Sequence, residues 1–185
     1  TGDVMAGIYD TLVSLDPLAR PPVIVPLAAA ALPEVSADYR TYTIRVRPGI
    51  FFAPHPAFGG KPRELAAADF AYSIRRILDP KLRSPALFLL ENRIEGLDAL
   101  AALARSEQRA IDYAAPVAGL VVVDRHTLRI HLNAPDPIFP FLLASPNLGA
   151  IAHEVVEAEG ITYEEMLARH VQGLAPARQP GERCH

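Results

Sequence analysis

The sequence contains little sulfur and few aromatic side chains. Its 185 residues include one cysteine, two methionines and no tryptophan. Because a single thiol, Cys184, cannot form an internal disulfide, a disulfide framework is excluded. The longest apolar candidate for a membrane span, residues 23–32, is shorter than the ~18 residues needed and contains Pro26. The net charge of -3 lacks the basic excess of a nucleic-acid binder, so we expect no nucleic-acid partner.

Histidines are present, but without the spacing of a metal site. A structural zinc site needs four ligands, usually His and Cys in short pairs. His55 lies far in sequence from His126 and His131, which are predicted to lie in a hairpin turn and on a solvent-facing side of a strand. His153, Glu154 and Glu157 have helical spacing, which is more typical of an exposed amphipathic face than of a cation site. We therefore predict no metal site and no cofactor.

Catalytic groups do not occur as a set. Asp69 and Ser73 lie four residues apart and share one face of a predicted helix, but no histidine accompanies them, so a hydrolase triad is unsupported. Residues 59–61, Gly-Gly-Lys, lack the remaining spacing of a phosphate-binding loop and are followed by a proline. We predict no catalytic residue and expect a binding protein rather than an enzyme.

The most regular apolar pattern predicts a helix over residues 67–78. Apolar side chains recur there at helical spacing and predict a buried face: Phe70, Ile74 and Ile77. Arg75 and Arg76 are expected to face water. Asp79 precedes a proline, which ends the helix.

Alternation of apolar and polar residues predicts strands in two regions. Residues 41–47 alternate, with Arg45 and Arg47 pointing outward. Residues 119–123 and 127–132 predict a hairpin around a polar turn. Further helices are predicted at residues 97–105, 138–143, 153–159 and 163–170. Short strands interspersed with helices indicate a mixed α/β (α+β) fold.

Six short motifs occur in a fixed order along the chain. They are YTIRVRPGIFF at 42–52, AAADFAYSIRR at 66–76, DPK and SP at 79–85, IEGLDA at 94–99, VAGL with DRHTLRI at 117–130, and PDPIF at 135–139. In this order they resemble the bacterial extracellular solute-binding proteins of family 5, the receptors of peptide and nickel ABC importers. The resemblance spans roughly residues 9–157.

The resemblance implies an incomplete fold of the periplasmic-binding-protein type II class. Residues 1–37 would begin lobe one, residues 38–132 would form an inserted α/β subdomain, and residues 133–170 would return towards lobe one. Two departures from the family are visible. Ala66 replaces the usual Thr before the long helix, and residues 171–177 keep only Gly173 and Pro176 of an expected motif. We expect residues 171–185 to be an atypical, disordered and out-of-frame tail on an N-terminal fragment.

The resemblance also implies a function and a site. It predicts the substrate-binding component of an ABC importer, which captures short peptides or a similar solute in the periplasm and delivers it to an inner-membrane permease. The ligand contacts implied are Met5, Tyr9, Ser145 and Asn147. An alternative is a non-catalytic protein-interaction subdomain, which would present an apolar patch where the second lobe should dock.

Overall fold

The protein is represented by a computed structural model that describes residues 10–159. A two-stranded antiparallel sheet comes first in the chain, with β1 at Val13–Leu15 and β2 at Ile24–Pro26. A four-stranded sheet follows, from β3 (Glu34–Val35), β4 (Thr41–Arg45), β5 (Leu120–Asp124) and β6 (Thr127–His131). Together with the helices described below, these strands confirm the mixed α/β fold predicted from the sequence.

The larger sheet is antiparallel throughout and has the order β3-β4-β6-β5. Its centre pairs β4 with β6, so that Thr41 lies opposite His131 and Arg45 opposite Thr127. β5 and β6 form the predicted hairpin. Along β4, Tyr42 and Ile44 are fully buried while Arg45 is exposed, which confirms the alternation predicted for this strand.

The α-helices of the described region are α1 (Ala67–Leu78), α2 (Leu97–Ser106), α3 (Phe139–Leu142) and α4 (His153–Glu159). The bounds predicted for α1 are confirmed. α1 packs on β5 and β6, and α2 packs on α1. The helix predicted at residues 163–170 and the tail at 171–185 lie outside the described residues.

One hydrophobic core joins the early, middle and late parts of the described chain. Its members run from Leu12 and Val13, through the buried face of α1, to Leu148 and Ala150. The subdomain boundaries after residues 37 and 132 remain a prediction. β3 precedes the first of these boundaries and pairs with β4, which follows it.

The prediction that Arg75 and Arg76 face water is wrong. Arg76 is 6% exposed and Arg75 is half-buried, with its Nη2 donating to the carbonyl of Ala115 at 3.4 Å. Burial lowers the pKa of Arg75, and the charge of Asp112 opposes this effect. The helical pattern identified the face of α1 that covers the sheet, but the other side of the helix is also covered by later segments of the chain.

Candidate functional site

An apolar pocket of about 320 Å³ opens on the surface of the described region. A volume of this size is at the lower end of small-molecule sites in proteins. The pocket lies where the extended segment after β4, the 3-10 turn Pro56–Phe58 and α4 meet. The side chains that line it are mostly apolar, among them Ile50, Phe51, Phe52, Phe58, Ile151 and Val155.

An ion-pair network lies beside one wall of this apolar pocket and fixes α4. The Arg63 guanidinium is 5.6 Å from the centroid of the Phe52 ring. Its Nη2 donates to Asp69 at 2.7 Å, and its Nε donates to Glu154 at 2.7 Å. Asp69 is 2% exposed and also accepts from the Ala66 N–H at 2.8 Å, so it closes the N-terminus of α1 where Ala66 offers no capping side chain.

The charges of this network reinforce one another. Burial by itself would lower the pKa of Arg63, but the hydrogen bonds and charges of Glu154 and Asp69 outweigh burial and raise it. Burial would raise the pKa of Glu154, but the hydrogen bond from Arg63 outweighs burial and lowers it. Arg63 thus holds the start of α1 and the start of α4 together through charge-assisted hydrogen bonds.

The histidines singled out in the sequence have separate structural partners. His55 accepts from the Ala57 N–H at 3.2 Å through its Nδ1 and so caps the 3-10 turn. His126 lies 3.5 Å from Glu64, and His131 contacts the Thr41 hydroxyl at 2.8 Å. Within residues 10–159, no group of three or more His, Cys, Asp or Glu side chains is placed to hold a metal ion.

Asp69 and Ser73 do not form a reactive pair. The Ser73 hydroxyl donates to the backbone carbonyl of Asp69 at 2.9 Å, whereas the Asp69 carboxylate faces Arg63 and the Ala66 N–H. The Ser73 hydroxyl is therefore used within α1, and the Asp69 carboxylate caps α1 and binds Arg63.

The ligand contacts implied by the sequence are only partly described. Met5 and Tyr9 lie outside the described residues. Ser145 begins the 3-10 turn Pro146–Leu148, and the Asn147 side chain donates to its hydroxyl at 3.3 Å. Both are half-buried, and Asn147 also lines a smaller cavity beside Arg76.

The structure joins the chain next to Tyr9 to the loop after Ser145. Asp10 directly follows Tyr9, and its carbonyl accepts from the Ala150 N–H at 3.0 Å. Asp10 and Ala150 both line the apolar pocket. Ser145 and Asn147 themselves do not line this pocket, and the assignment of Met5, Tyr9, Ser145 and Asn147 to one site remains a prediction.

Sequence reasoning missed the apolar pocket and the role of Arg63. The pocket is built from segments about 100 residues apart in sequence, and no local pattern marks it. Arg63 sits in a proline-containing loop that carries no periodicity. One signal was available: Asp69 at the N3 position of a helix without a capping side chain indicates a local partner for that carboxylate.

Comparison with known proteins decides the family. The family described as bacterial extracellular solute-binding proteins, family 5 Middle, matches residues 23–169. The chain belongs to this family. The resemblance seen in the short motifs is thereby confirmed, and the members of this family are binding proteins.

Two curated relatives carry oligopeptide-binding names. The oligopeptide-binding protein AmiA of Streptococcus pneumoniae is 33% identical over 107 residues, which are 57% of this chain and 14% of AmiA. The periplasmic oligopeptide-binding protein OppA of Salmonella typhimurium is 29% identical over 124 residues, 66% of this chain and 20% of OppA. The chain thus matches only a small part of the length of either relative.

Solved structures agree on the fold. The murein tripeptide binding protein MppA of Escherichia coli has a TM-score of 0.63 and 28% identity, with 85% of this chain and 27% of MppA covered. Haemophilus influenzae OppA, solved with the peptide RPPGFSPFR, has a TM-score of 0.67 and 22% identity, with 86% and 28% covered. The predicted fold of the periplasmic-binding-protein type II class is confirmed, and this chain corresponds to part of it. Within residues 10–159, no helix has both the length and the apolar character to cross a bilayer.

Proposed function

We propose that this chain is part of a receptor that captures short peptides, or a similar small solute, for an ABC importer. The observation that carries the proposal is the family match over residues 23–169. The oligopeptide-binding names of AmiA and OppA support peptides as the ligand class. The receptor acts in the periplasm as an exported protein, and its partner is the inner-membrane permease. In this role the chain binds and releases its ligand without chemical change.

We propose that the ligand contacts Met5, Tyr9, Ser145 and Asn147 lie close to the apolar pocket. In sequence, Met5 and Tyr9 precede the pocket residue Asp10, and Ser145 and Asn147 precede the pocket residue Ala150. A peptide bound here would place an apolar side chain on the pocket floor, while the Asn147 amide and Ser145 hydroxyl offer hydrogen bonds to its backbone. A tyrosine at residue 9 offers both an apolar ring and a hydroxyl.

Calorimetric titration of short peptides into the receptor that contains this chain tests the proposal. Asn147→Ala is expected to weaken peptide binding roughly tenfold, since it removes about one hydrogen bond to a buried polar ligand. Asn133→Ala is the matched control, because the Asn133 side chain donates to the Asn92 carbonyl, away from the apolar pocket. The control should bind as tightly as the unchanged protein.

Two results would contradict the proposal in different ways. If no peptide produces heat of binding with the unchanged receptor, peptide capture fails, and the protein-interaction alternative becomes the next to test. If peptides bind and both asparagine variants bind equally well, the function holds but the location of the site is wrong.

A further inference from the structure

The buried guanidinium of Arg76 on α1 has two N–H groups without an acceptor among the described residues. Arg76 is 6% exposed, and its Nη1 donates to the Tyr72 hydroxyl at a long 3.4 Å. Its Nε and Nη2 are buried and have no hydrogen-bond partner among the described residues. Leaving charged donors buried without an acceptor costs several kcal/mol in real proteins, so a partner from elsewhere is expected.

The nearby buried carboxylate does not supply that partner. Asp79 is 3% exposed and directly follows the last residue of α1. Its Oδ2 accepts from the Tyr113 hydroxyl at 2.7 Å, and its Oδ1 accepts from the Lys81 N–H at 2.9 Å. Burial and the bond to Asp79 raise the pKa of Tyr113. Asp79 is therefore engaged away from the Nε and Nη2 edge of Arg76.

A small cavity, the Arg76 pocket, adjoins this guanidinium. It is lined by Ser73, Arg76, Ile77, Leu82, Ser84, Asn147 and Ile151, and its volume of about 10 Å³ is close to one water-sized group. Leu82, Ser84 and Asn147 are half-buried, so its mouth reaches the surface. The Ser84 hydroxyl oxygen accepts from the Ala86 N–H at 3.2 Å, which leaves its proton available for an incoming acceptor.

We propose that the Arg76 pocket binds a carboxylate group. The Nε–H and Nη2–H bonds of an arginine are parallel donors whose spacing matches the two oxygens of a carboxylate. One oxygen fills the pocket and the other lies at its mouth, near Ser84. A carboxylate is smaller and flatter than a phosphate group, and it supplies a negative charge and two acceptors where a water molecule supplies a neutral oxygen.

Two sources can supply the carboxylate. One is a solute with a free carboxylate, and the other is an acidic side chain of the protein beyond Glu159, where Glu164 and Glu165 are the first. The chemistry at Arg76 is the same in both cases. This site goes beyond the proposed function, because carboxylate binding at Arg76 requires neither peptide capture nor import.

Sodium formate, the smallest carboxylate, is the probe. The full 185-residue chain is labelled with nitrogen-15 and titrated with formate at constant ionic strength, with sodium chloride as the balancing salt. The Nε–H signal of Arg76 is expected to move in a saturable way. Arg75→Gln is the matched control on the adjacent residue, and it should leave this movement unchanged.

A charge-retaining variant of Arg76 tests the role of the parallel donors. Arg76→Lys keeps the positive charge but loses the parallel donors. Its affinity for formate, followed through the backbone N–H signals of Ser84 and Asn147, should be roughly tenfold weaker, since one charge-assisted hydrogen bond is lost.

The double variant Glu164→Gln, Glu165→Gln separates the two sources. Movement of the Arg76 signal in the unchanged chain supports an external carboxylate. Movement only in the double variant supports the same site occupied by the protein's own carboxylate. If the signal moves in neither chain, or if Arg76→Lys binds formate as well as the unchanged chain, the proposal is overturned, and peptide binding measured by calorimetry is unaffected by that result.

Discussion

Gly119 shows at the scale of one residue how closely two backbone segments approach. Its N–H donates to the Glu95 carbonyl at 2.9 Å, and its carbonyl accepts from the His131 N–H at 2.8 Å. A Cβ atom at this position would lie 2.5 Å from the Glu95 nitrogen and 2.6 Å from the His131 carbonyl oxygen. These are backbone atoms, so no side-chain rotation can relieve the contact.

Gly119→Ala should therefore destabilise the chain by about 3 kcal/mol, at the upper end of overpacking costs. The change would separate the segment at residues 94–95 from β6, and the free energy of unfolding in urea measures the effect. Ala118→Ser is the matched control, because residue 118 is exposed and surface changes of this kind are usually within about 0.5 kcal/mol. Equal stability of the two variants would contradict the close approach at Gly119.

The Arg63–Glu154 ion pair leads to a second prediction about a single residue. Glu154→Gln removes the negative charge that pairs with Arg63, and the expected loss at pH 7 is about 1 kcal/mol, because both side chains are partly exposed to solvent. The ordinary pKa of Glu154 is about 4.5, and folding lowers it. The contribution of this ion pair to the free energy of unfolding is therefore complete above the unfolded-state pKa of Glu154. It is lost as the pH falls through the lower folded-state pKa.

Urea unfolding at pH 7 and at pH 3 measures this dependence. The difference in stability between the unchanged chain and Glu154→Gln should be largest at pH 7 and should shrink at pH 3. Glu157→Gln, on the same helix but exposed and without an ion pair among the described residues, is the control and should leave stability nearly unchanged at both values. A difference that grows at pH 3 would contradict the assigned sign.

At the scale of elements, α1 was the most predictable part of the fold. Phe70, Ile74 and Ile77 mark a buried stripe, and the proline after Asp79 marks the end, so the bounds follow from local chemistry. The burial of Arg76 could not be predicted from the same local pattern. Helical periodicity reports one preferred face, but it contains no information about residues 80–84 and 146–151, which cover the other side of the helix.

The hairpin of β5 and β6 could likewise be predicted from local sequence, whereas the apolar pocket could not. Alternation in residues 127–132 predicted a dry face on β6, and Leu128 and Ile130 are fully buried. The apolar pocket could not be predicted, because Phe51 and Val155 are brought together only by the complete fold. Motif resemblance placed Ser145 near the site, and this placement remains a prediction.

Within residues 10–159, β5 is an edge strand with an exposed apolar surface. It lies at one end of the sheet, and Val121, Val122 and Val123 are each at least 39% exposed. An apolar edge strand offers unpaired backbone groups to another chain. Self-association through β5 is therefore expected for this chain at high concentration.

Val121→Glu should reduce that association without loss of stability, because residue 121 lies opposite Arg129 and gains a cross-strand pair of opposite charge. Light scattering as a function of concentration measures the change. Leu18→Glu is the control, since Leu18 is 88% exposed but belongs to no strand. If both variants reduce scattering equally, general surface polarity and not the β5 edge governs association.

At the scale of the whole molecule, the pairing of β4 with β6 determines when the sheet can be completed during synthesis. Thr41 and His131 are partners 90 residues apart, and the hairpin partner of β6 is the adjacent β5. At translation rates of about 5–20 residues per second, β4 leaves the ribosome roughly 5–20 seconds before its partner has been made. During that interval the edge of β4 that pairs with β6 has no partner, and only the opposite edge can pair, with β3. Because unpaired strand edges promote aggregation, we expect the incomplete chain to aggregate more readily than the complete one until β6 has been synthesised.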